Sequence, residues 1–212
     1  MLADRALAVG FEITLINAHD GVPESIAGYD ALLVMGAVPS VNDAAIQSWF
    51  QPEIDLIRDA DSSGVPVLGV CFGAQALAVA LGGSVTRAAE PEIGWFTMET
   101  NDPDTIPPGP FFEWHVDAIS PPPSATILAH TSVCVQAFRI GKHLAVQFHP
   151  EVTTIEIGEW AENDAKVLEA LGLSGTFLLE QAASEFPAAR DRANKLFDQF
   201  LAIGGLRLDV HL

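Results

Sequence analysis

The stretch VPVLGVCFGAQALAVALGG, residues 65–83, decides the fold because it changes from a strand pattern to a helix pattern at one residue. The apolar run 65–70 is typical of a buried strand, and the residues from Ala74 to Leu81 favour a helix that the double glycine then ends. Cys71 stands at the junction, with a glycine two residues before it and another two residues after it. This turn predicts an α/β fold that lifts the cysteine side chain clear of the sheet.

The position of Cys71 favours a reactive thiol. A helix N-terminus carries partial positive charge, which stabilises a thiolate placed there. The N–H of Phe72 is expected to point toward the place where an oxyanion would form on an attacked carbonyl group. The alternative interpretation of the same turn is a small buried cysteine without a chemical role, because free cysteine is often buried.

A histidine and a glutamate follow a later β run, HLAVQFHPE at residues 143–151. The run ends at His149, Pro150 turns the chain, and Glu151 can then reach one nitrogen of the histidine ring. Such a carboxylate fixes the tautomer and stabilises the imidazolium that forms when a thiol loses its proton. Sites in α/β proteins lie at strand ends, so we expect Cys71 as nucleophile, His149 as base and Glu151 as the residue that orients the base.

The rest of the chain alternates between strand-like and helix-like patterns. These patterns predict a helix at 1–9, strands at 11–16 and 29–35, short β runs within 84–148, and helices within 154–203. The expected fold is α/β, an open, mostly parallel sheet flanked by helices with a small antiparallel β portion. No linker interrupts the pattern, so we expect a single domain over residues 1–212.

Composition excludes several classes of protein. The chain has 28 acidic and 10 basic side chains and a formal charge of −18, which would repel a nucleic acid backbone. No apolar run approaches the ~20 residues that span a bilayer, so no membrane association is expected. Two cysteines and the lack of an export signal favour a cytoplasmic location. No cysteine or histidine pair has the spacing of metal ligands, so we expect neither a metal nor another cofactor.

Four motifs occur in order along the chain: GVCFGAQ at 69–75, EIGW at 92–95, WHVD at 114–117 and QFHPE at 147–151. Together they resemble the class I glutamine amidotransferases, and in particular stand-alone proteins similar to the amidotransferase domain of GMP synthase. The resemblance implies a flavodoxin-like fold and an activity that hydrolyses the side-chain amide of glutamine. In that activity Cys71 forms a γ-glutamyl thioester and ammonia is released.

The resemblance also implies roles for further residues. An oxyanion hole would use the N–H of Phe72 and one N–H from the turn formed by Gly36 and Ala37. Substrate-binding residues would be Gln75, Trp114, His115 and Asp117, and we expect the last two to lie at the rim of the pocket.

Two departures from the family pattern concern the shape of the pocket. The family has Gly-Gly-Pro where this chain has Gly36, Ala37 and Val38, so the turn must have ordinary dihedral angles or be slightly shifted. The WHVD motif has Val116 where the family usually has glycine.

Three functions stay open at this point. The first is a glutaminase that passes ammonia to a synthase on a separate subunit, since the chain has no synthase domain of its own. The second is a free-standing hydrolase of γ-glutamyl peptides or γ-glutamylamines. The third is a non-catalytic regulatory or binding subunit. The substrate would be glutamine or another small γ-glutamyl molecule, and a homodimer is possible.

A third departure concerns the N-terminus, where the family has a buried strand before its first helix. This chain begins with a helix pattern, so we expect the sheet to lack that strand. The natural protein then begins ~10 residues upstream, or the neighbouring strands close up, or another segment fills the slot. The alternating segment LRLDVHL, residues 206–212, is the one candidate to fill it.

Overall fold

The structure is a computed structural model that describes residues 1–206 and has an α/β fold. The strands are β1 (Leu32–Val34), β2 (Val67–Val70), β3 (Ser84–Thr97), β4 (Glu99–Thr100), β5 (Pro110–Ser120), β6 (Thr126–His130), β7 (Val135–Ile140) and β8 (His143–Val146). The α-helices are α1 (Leu2–Ala8), α2 (Gln47–Ser63), α3 (Phe72–Ala80), α4 (Thr154–Asn163), α5 (Ala165–Ala170) and α6 (Gly175–Gly204). Two short 3₁₀ helices cover Ala18–Asp20 and Ala44–Ile46.

The strands form one mixed sheet in the order β1-β2-β8-β7-β5-β3, with β6 pairing β7 and β4 pairing β6. The predicted α/β class and the antiparallel portion are confirmed. Parallel pairing, however, is confined to β1, β2 and β8, and the other pairings are antiparallel. The antiparallel portion is larger than expected because short turns join consecutive strands from β6 to β8, and a short turn permits only antiparallel neighbours.

Helices cover both faces of this sheet. Alternate residues of β2 face opposite sides: Val67 packs in the cluster that contains residues of α2 and α3, and Leu68 packs in the cluster that contains residues of α1 and α6. The strand is buried on both faces, which explains its continuous apolar sequence. Among the described residues, no helix combines the length and the apolar character needed to cross a membrane.

The N-terminal region differs from the prediction in one element. Helix α1 forms as expected, but residues 11–16 do not form a strand, and the side chains of Ile13 and Leu15 are exposed. Within residues 1–206, β1 pairs only with β2, and no strand lies beyond the other edge of β1. Residues 11–16 therefore lack the strand that would lie between them and β1. The expected gap beside β1 is therefore present in this part of the chain. Residues 207–212, which belong to the candidate segment, lie outside the described residues.

Candidate active site

Cys71 lies at the turn between β2 and α3, in a strained backbone conformation. Its φ of 52° is the one positive φ of a non-glycine residue in the described chain. A Cβ atom on Gly73 would lie 1.9 Å from the carbonyl oxygen of Val34, and one on Gly69 would lie 2.5 Å from that of Gly73. Both positions therefore require glycine, which is the physical basis of the G-x-C-x-G spacing. Strain of this kind is characteristic of functional sites.

His149 and Glu151 form the hydrogen bond that their spacing predicts. The Nδ1 atom of His149 lies 2.8 Å from a carboxylate oxygen of Glu151. The backbone N–H of His149 donates to the carbonyl oxygen of Phe112 on β5, at 2.7 Å. Both bonds hold the imidazole three residues beyond the end of β8, which pairs with β2, the strand that Cys71 follows.

Gly36, which follows β1, lies against both side chains. A Cβ atom at this position would lie 3.1 Å from Cε1 of His149 and 3.7 Å from Cβ of Cys71. The base and the nucleophile therefore flank the same point of the backbone. Ala37 does not have a positive φ, so its side chain adds no strain to this turn.

The charge state of His149 follows from its neighbours. Burial lowers its pKa, but the Cys71 sulfur and the Glu151 carboxylate outweigh burial and raise the pKa of His149 well above the usual 6.5. The ring therefore readily accepts the proton of a thiol. In this position the orienting carboxylate also stabilises the resulting imidazolium.

Two glutamines extend the site toward α3. The amide of Gln75 donates to the side-chain oxygen of Gln147 at 3.2 Å, and the amide nitrogen of Gln147 lies 3.6 Å from the Cys71 sulfur. Gln147 is a site residue that the sequence reasoning did not select. Its position two residues before His149, on the same face at the end of one β run, was the signal that could have identified it.

The three predicted substrate-binding residues on β5 lie on two faces of that strand. Trp114 is half-buried, and its indole N–H donates to Asp164, beside α4, at 3.3 Å. His115 and Asp117 are buried. Their predicted position at the rim of the pocket is therefore wrong. Buried carboxylates surround the His115 ring, and Asp117 lies on the same buried face of β5. A role of these residues in substrate binding stays a prediction.

His115 lies at the centre of a buried polar network. Its Nε2 atom is 3.3 Å from carboxylate oxygens of both Glu92 and Glu113, and its Nδ1 atom is 3.0 Å from the carbonyl oxygen of Asp117. These oxygen atoms can accept hydrogen bonds from both ring nitrogens, which favours the protonated ring. Burial lowers the pKa of His115, but Glu113 and Glu92 together raise it to about 10. The network therefore favours the imidazolium form of His115 at neutral pH.

The same network contains a triangle of metal-ligand atoms. Atoms of Glu92, His115 and Cys134 lie within 4.8 Å of one another. However, Glu92 already accepts hydrogen bonds from Gln136 at 2.7 Å and from Thr131 at 3.2 Å. Burial raises the pKa of the Cys134 thiol, which disfavours the thiolate that a metal would need. We therefore interpret the network as a set of hydrogen bonds and not as a metal centre.

The arrangement defines a class of protein. A strained cysteine at the start of a helix, beside a histidine that a glutamate orients, is the chemistry of an enzyme that transfers acyl groups through a thioester. Comparison with known proteins gives the particular family. The family model "Glutamine amidotransferase class-I" matches residues 1–165. The chain belongs to the class I glutamine amidotransferase family.

Relatives of known sequence agree with this membership. One subunit of the glutamine-hydrolyzing GMP synthase of Sulfolobus acidocaldarius is 35% identical over 159 residues, which cover 71% of this chain and 81% of that protein. The corresponding subunit of Sulfurisphaera tokodaii is 42% identical over 102 residues, which span only 44% of this chain and about half, 54%, of that relative. The glutamine-hydrolyzing GMP synthase of Thermus thermophilus is 35% identical over 150 residues, which are 63% of this chain and 28% of that longer protein.

Solved structures show the same fold. The glutamine amido transferase of Methylobacillus flagellatus has a TM-score of 0.88 and 25% identity over 99% of this chain and 90% of that one. A glutamine amidotransferase of Thermotoga maritima has a TM-score of 0.72 and 29% identity, covering 80% of this chain and 77% of that one.

Proposed function

We propose that the protein hydrolyses the side-chain amide of glutamine through a γ-glutamyl thioester on Cys71. The observation that carries this proposal is the pairing of a strained cysteine turn with the His149–Glu151 hydrogen bond at adjacent strand ends. Membership of the class I family supports glutamine as the substrate. The intact set of Cys71, His149 and Glu151 argues against a non-catalytic regulatory role.

The reaction would proceed in two acyl-transfer steps. The Cys71 sulfur attacks the amide carbon of glutamine, and its proton moves to His149. His149 then gives the proton to the amide nitrogen, the carbon–nitrogen bond breaks and ammonia leaves. Water next attacks the thioester while His149 removes a proton from it. Glutamate is released and the thiol regains its proton, so glutamine and water give glutamate and ammonia.

The oxyanion of each step would lie between two backbone donors. Phe72 is the first residue of α3, so the helix supplies no acceptor for its N–H. The turn at Gly36 and Ala37 lies beside Cys71 and His149 and offers the second donor. Loss of one such donor typically lowers kcat by ~10²–10³.

The similarity to GMP synthase subunits extends the proposal to a partner. The relative from Sulfolobus acidocaldarius is one subunit of a glutamine-hydrolyzing GMP synthase, so a separate synthase subunit would accept the ammonia. Both cysteines are free, which agrees with a cytoplasmic location.

The test is the release of glutamate and ammonia from a panel of glutamine, γ-glutamyl dipeptides and γ-glutamylamines. We expect glutamine to be hydrolysed and Cys71→Ala to abolish the activity without unfolding the protein. Cys134→Ser is the matched control, because burial and the Glu92 carboxylate raise the pKa of the Cys134 thiol and disfavour its thiolate, and it should keep the activity. Preference for a γ-glutamylamine would identify a free-standing hydrolase instead. Inactivity toward the whole panel, with the synthase partner present, would contradict the proposal.

A further inference from the structure

Trp160 packs directly against the proposed base. The ring centroids of Trp160 and His149 lie 4.9 Å apart, with the planes at 65°, which is an edge contact. Gly36 approaches Cε1 of the same imidazole. The ring of His149 is thus confined by an indole and by the backbone in addition to its hydrogen bond to Glu151.

The start of α4 determines where Trp160 lies. The N-terminus of α4 has a capping box: Thr153 accepts from the N–H of Glu156 at 3.4 Å, and the Glu156 carboxylate accepts from the N–H of Thr153 at 2.7 Å. This cap fixes the beginning of the helix just after Glu151. Ile157 is buried one turn before Trp160 and directs this face of α4 inward.

Other aromatic rings hold the indole in place. Trp114 lies 5.8 Å from Trp160 and Phe112 lies 6.3 Å from it, measured between ring centroids. The indole N–H of Trp114 donates to Asp164 just beyond α4. The carbonyl oxygen of Phe112 also accepts a hydrogen bond from the backbone N–H of His149, so both β5 and α4 contact the base.

An aromatic ring next to a histidine favours the protonated form. The electron-rich face of an indole attracts a cation, which favours the protonated ring. The water that the indole excludes acts in the opposite direction, because burial lowers the pKa of His149. The titratable groups that face His149 are Cys71 from the turn before α3, Glu151 from its own turn and Glu113 from β5. Trp160 has no titratable group and is supplied by α4.

We propose that Trp160 is a positioning residue that holds the imidazole of His149 in its hydrogen bond to Glu151 and stabilises the protonated ring during hydrolysis. This inference rests on the proposed role of His149 as base. The proposal also requires α4 to pack against β5, because α4 supplies the indole that contacts His149.

The first test distinguishes the bulk of the Trp160 side chain from its aromatic ring. Trp160→Leu should lower kcat about tenfold and change KM less than about twofold, because the base is misplaced but the substrate still binds. On the alkaline side, its kcat/KM should also fall at a pH about half a unit lower than in the unmodified protein, because His149 gives up its proton more easily. Trp160→Phe keeps an aromatic ring, so its kcat should stay within about threefold of that of the unmodified protein.

Trp95→Leu is the matched control. Trp95 belongs to the same aromatic cluster, 5.5 Å from Phe112, but makes no ring contact with His149 among the described residues. Its loss should lower the unfolding temperature without moving the pH profile. If Trp160→Leu fails to fold by circular dichroism, Trp160→Met provides a second non-aromatic variant with the same expected result. Equal pH profiles for the aromatic and non-aromatic variants would overturn the proposal.

A second readout does not depend on glutamine turnover. The rate at which iodoacetamide alkylates Cys71 reports the pairing of the thiolate with protonated His149. In Trp160→Leu the dependence of this alkylation rate on pH, called the alkylation profile, should change. In Trp95→Leu it should not. If the unmodified protein does not hydrolyse glutamine but the profile still changes in this way, the proposed function fails and the positioning role stands. An unchanged profile in Trp160→Leu contradicts the positioning role.

Discussion

At the scale of single residues, the site depends on backbone positions that exclude a side chain. Gly69 and Gly73 permit the cysteine turn, and Gly36 permits the close approach of His149 and Cys71. The nucleophile itself occupies the strained position, which a glycine would occupy at lower energy. The requirement for a side chain at Cys71 is therefore chemical, whereas the requirement for glycine around it is steric.

Gly36→Ala tests this steric requirement. The added Cβ atom would lie 3.1 Å from Cε1 of His149, so the imidazole must shift by a few tenths of an ångström. We expect kcat to fall about tenfold or more, because catalysis is sensitive to small displacements of reacting groups. Gly158→Ala on α4 is the control, because a Cβ atom there meets nothing within 4 Å and the helix should gain up to about 1 kcal/mol. Equal steady-state kinetics for both variants would contradict the assignment of Gly36 to the site.

At the scale of elements, α4 joins the motif at the end of β8 to the packing of α6. Its capping box begins two residues after Glu151, and its inner face supplies Trp160. The sequence predicted helices after residue 154, but it could not predict the indole contact, because no local pattern shows which rings meet. Trp160 and His149 are eleven residues apart and are brought together by the turn and the helix cap.

Thr153→Ala tests the role of this cap. Removing the capping oxygen should destabilise the protein by about 1 kcal/mol and loosen the start of α4. We expect kcat to fall severalfold, because both Glu151 and Trp160 lose their support. Ser174→Ala removes the cap of α6, where the Ser174 hydroxyl accepts from Phe177 at 3.2 Å, and should cost similar stability without a loss of kcat. Urea unfolding together with glutaminase assays would separate the two effects, and a parallel loss of kcat in both variants would contradict this role of α4.

At the scale of the whole molecule, the buried network at His115 ties together β3, β5 and β7. Glu92, His115 and Gln136 come from these three strands, and their side chains are almost fully buried. The charge pattern did not indicate this burial, because glutamate and histidine are usually exposed. The burial of β5 residues 113, 115 and 117 on one face follows from the period of a strand, but only the fold shows that this face is inward.

The network makes stability depend on pH. The pKa of His115 is raised to about 10 in the folded protein from an ordinary 6.5, so its contribution to stability is fully present below pH 6.5 and is lost as the pH rises through about 10. We expect the urea midpoint to fall between neutral pH and a pH above 10, and this fall should be smaller in His115→Gln. At neutral pH the variant should lose up to about 3–5 kcal/mol, because Glu92 keeps its hydrogen bonds but loses the buried cation beside it.

His19→Gln, at an exposed position, is the control for this measurement and should show the same fall in the urea midpoint above neutral pH as the unmodified protein. If His115→Gln and the unmodified protein lost the same stability on raising the pH, the buried imidazolium would be excluded.

The parts of the fold that could be predicted are those with strong local patterns. The turn at Cys71 and helix α1 follow from apolar periodicity and from glycine positions. The β run expected to end at His149 ends earlier, at Val146. The strand expected at residues 11–16 has the same local pattern, but it needs a neighbouring strand that the described chain does not place there. Pairing between distant segments is not encoded locally, which is also why the antiparallel share of the sheet was underestimated. The single domain over residues 1–212 stays a prediction.

The most direct test of the central claim is to identify the residue that attacks a glutamine analogue bound in the site. The protein is incubated with a glutamine analogue that has a diazoketone in place of the amide, digested, and examined by mass spectrometry. We expect one label per chain, on the sulfur of Cys71, which an excess of glutamine prevents and Cys71→Ala abolishes. Labelling of Cys134, or labelling of Cys71 that glutamine does not prevent, would contradict the assignment of Cys71 as the nucleophile that attacks glutamine.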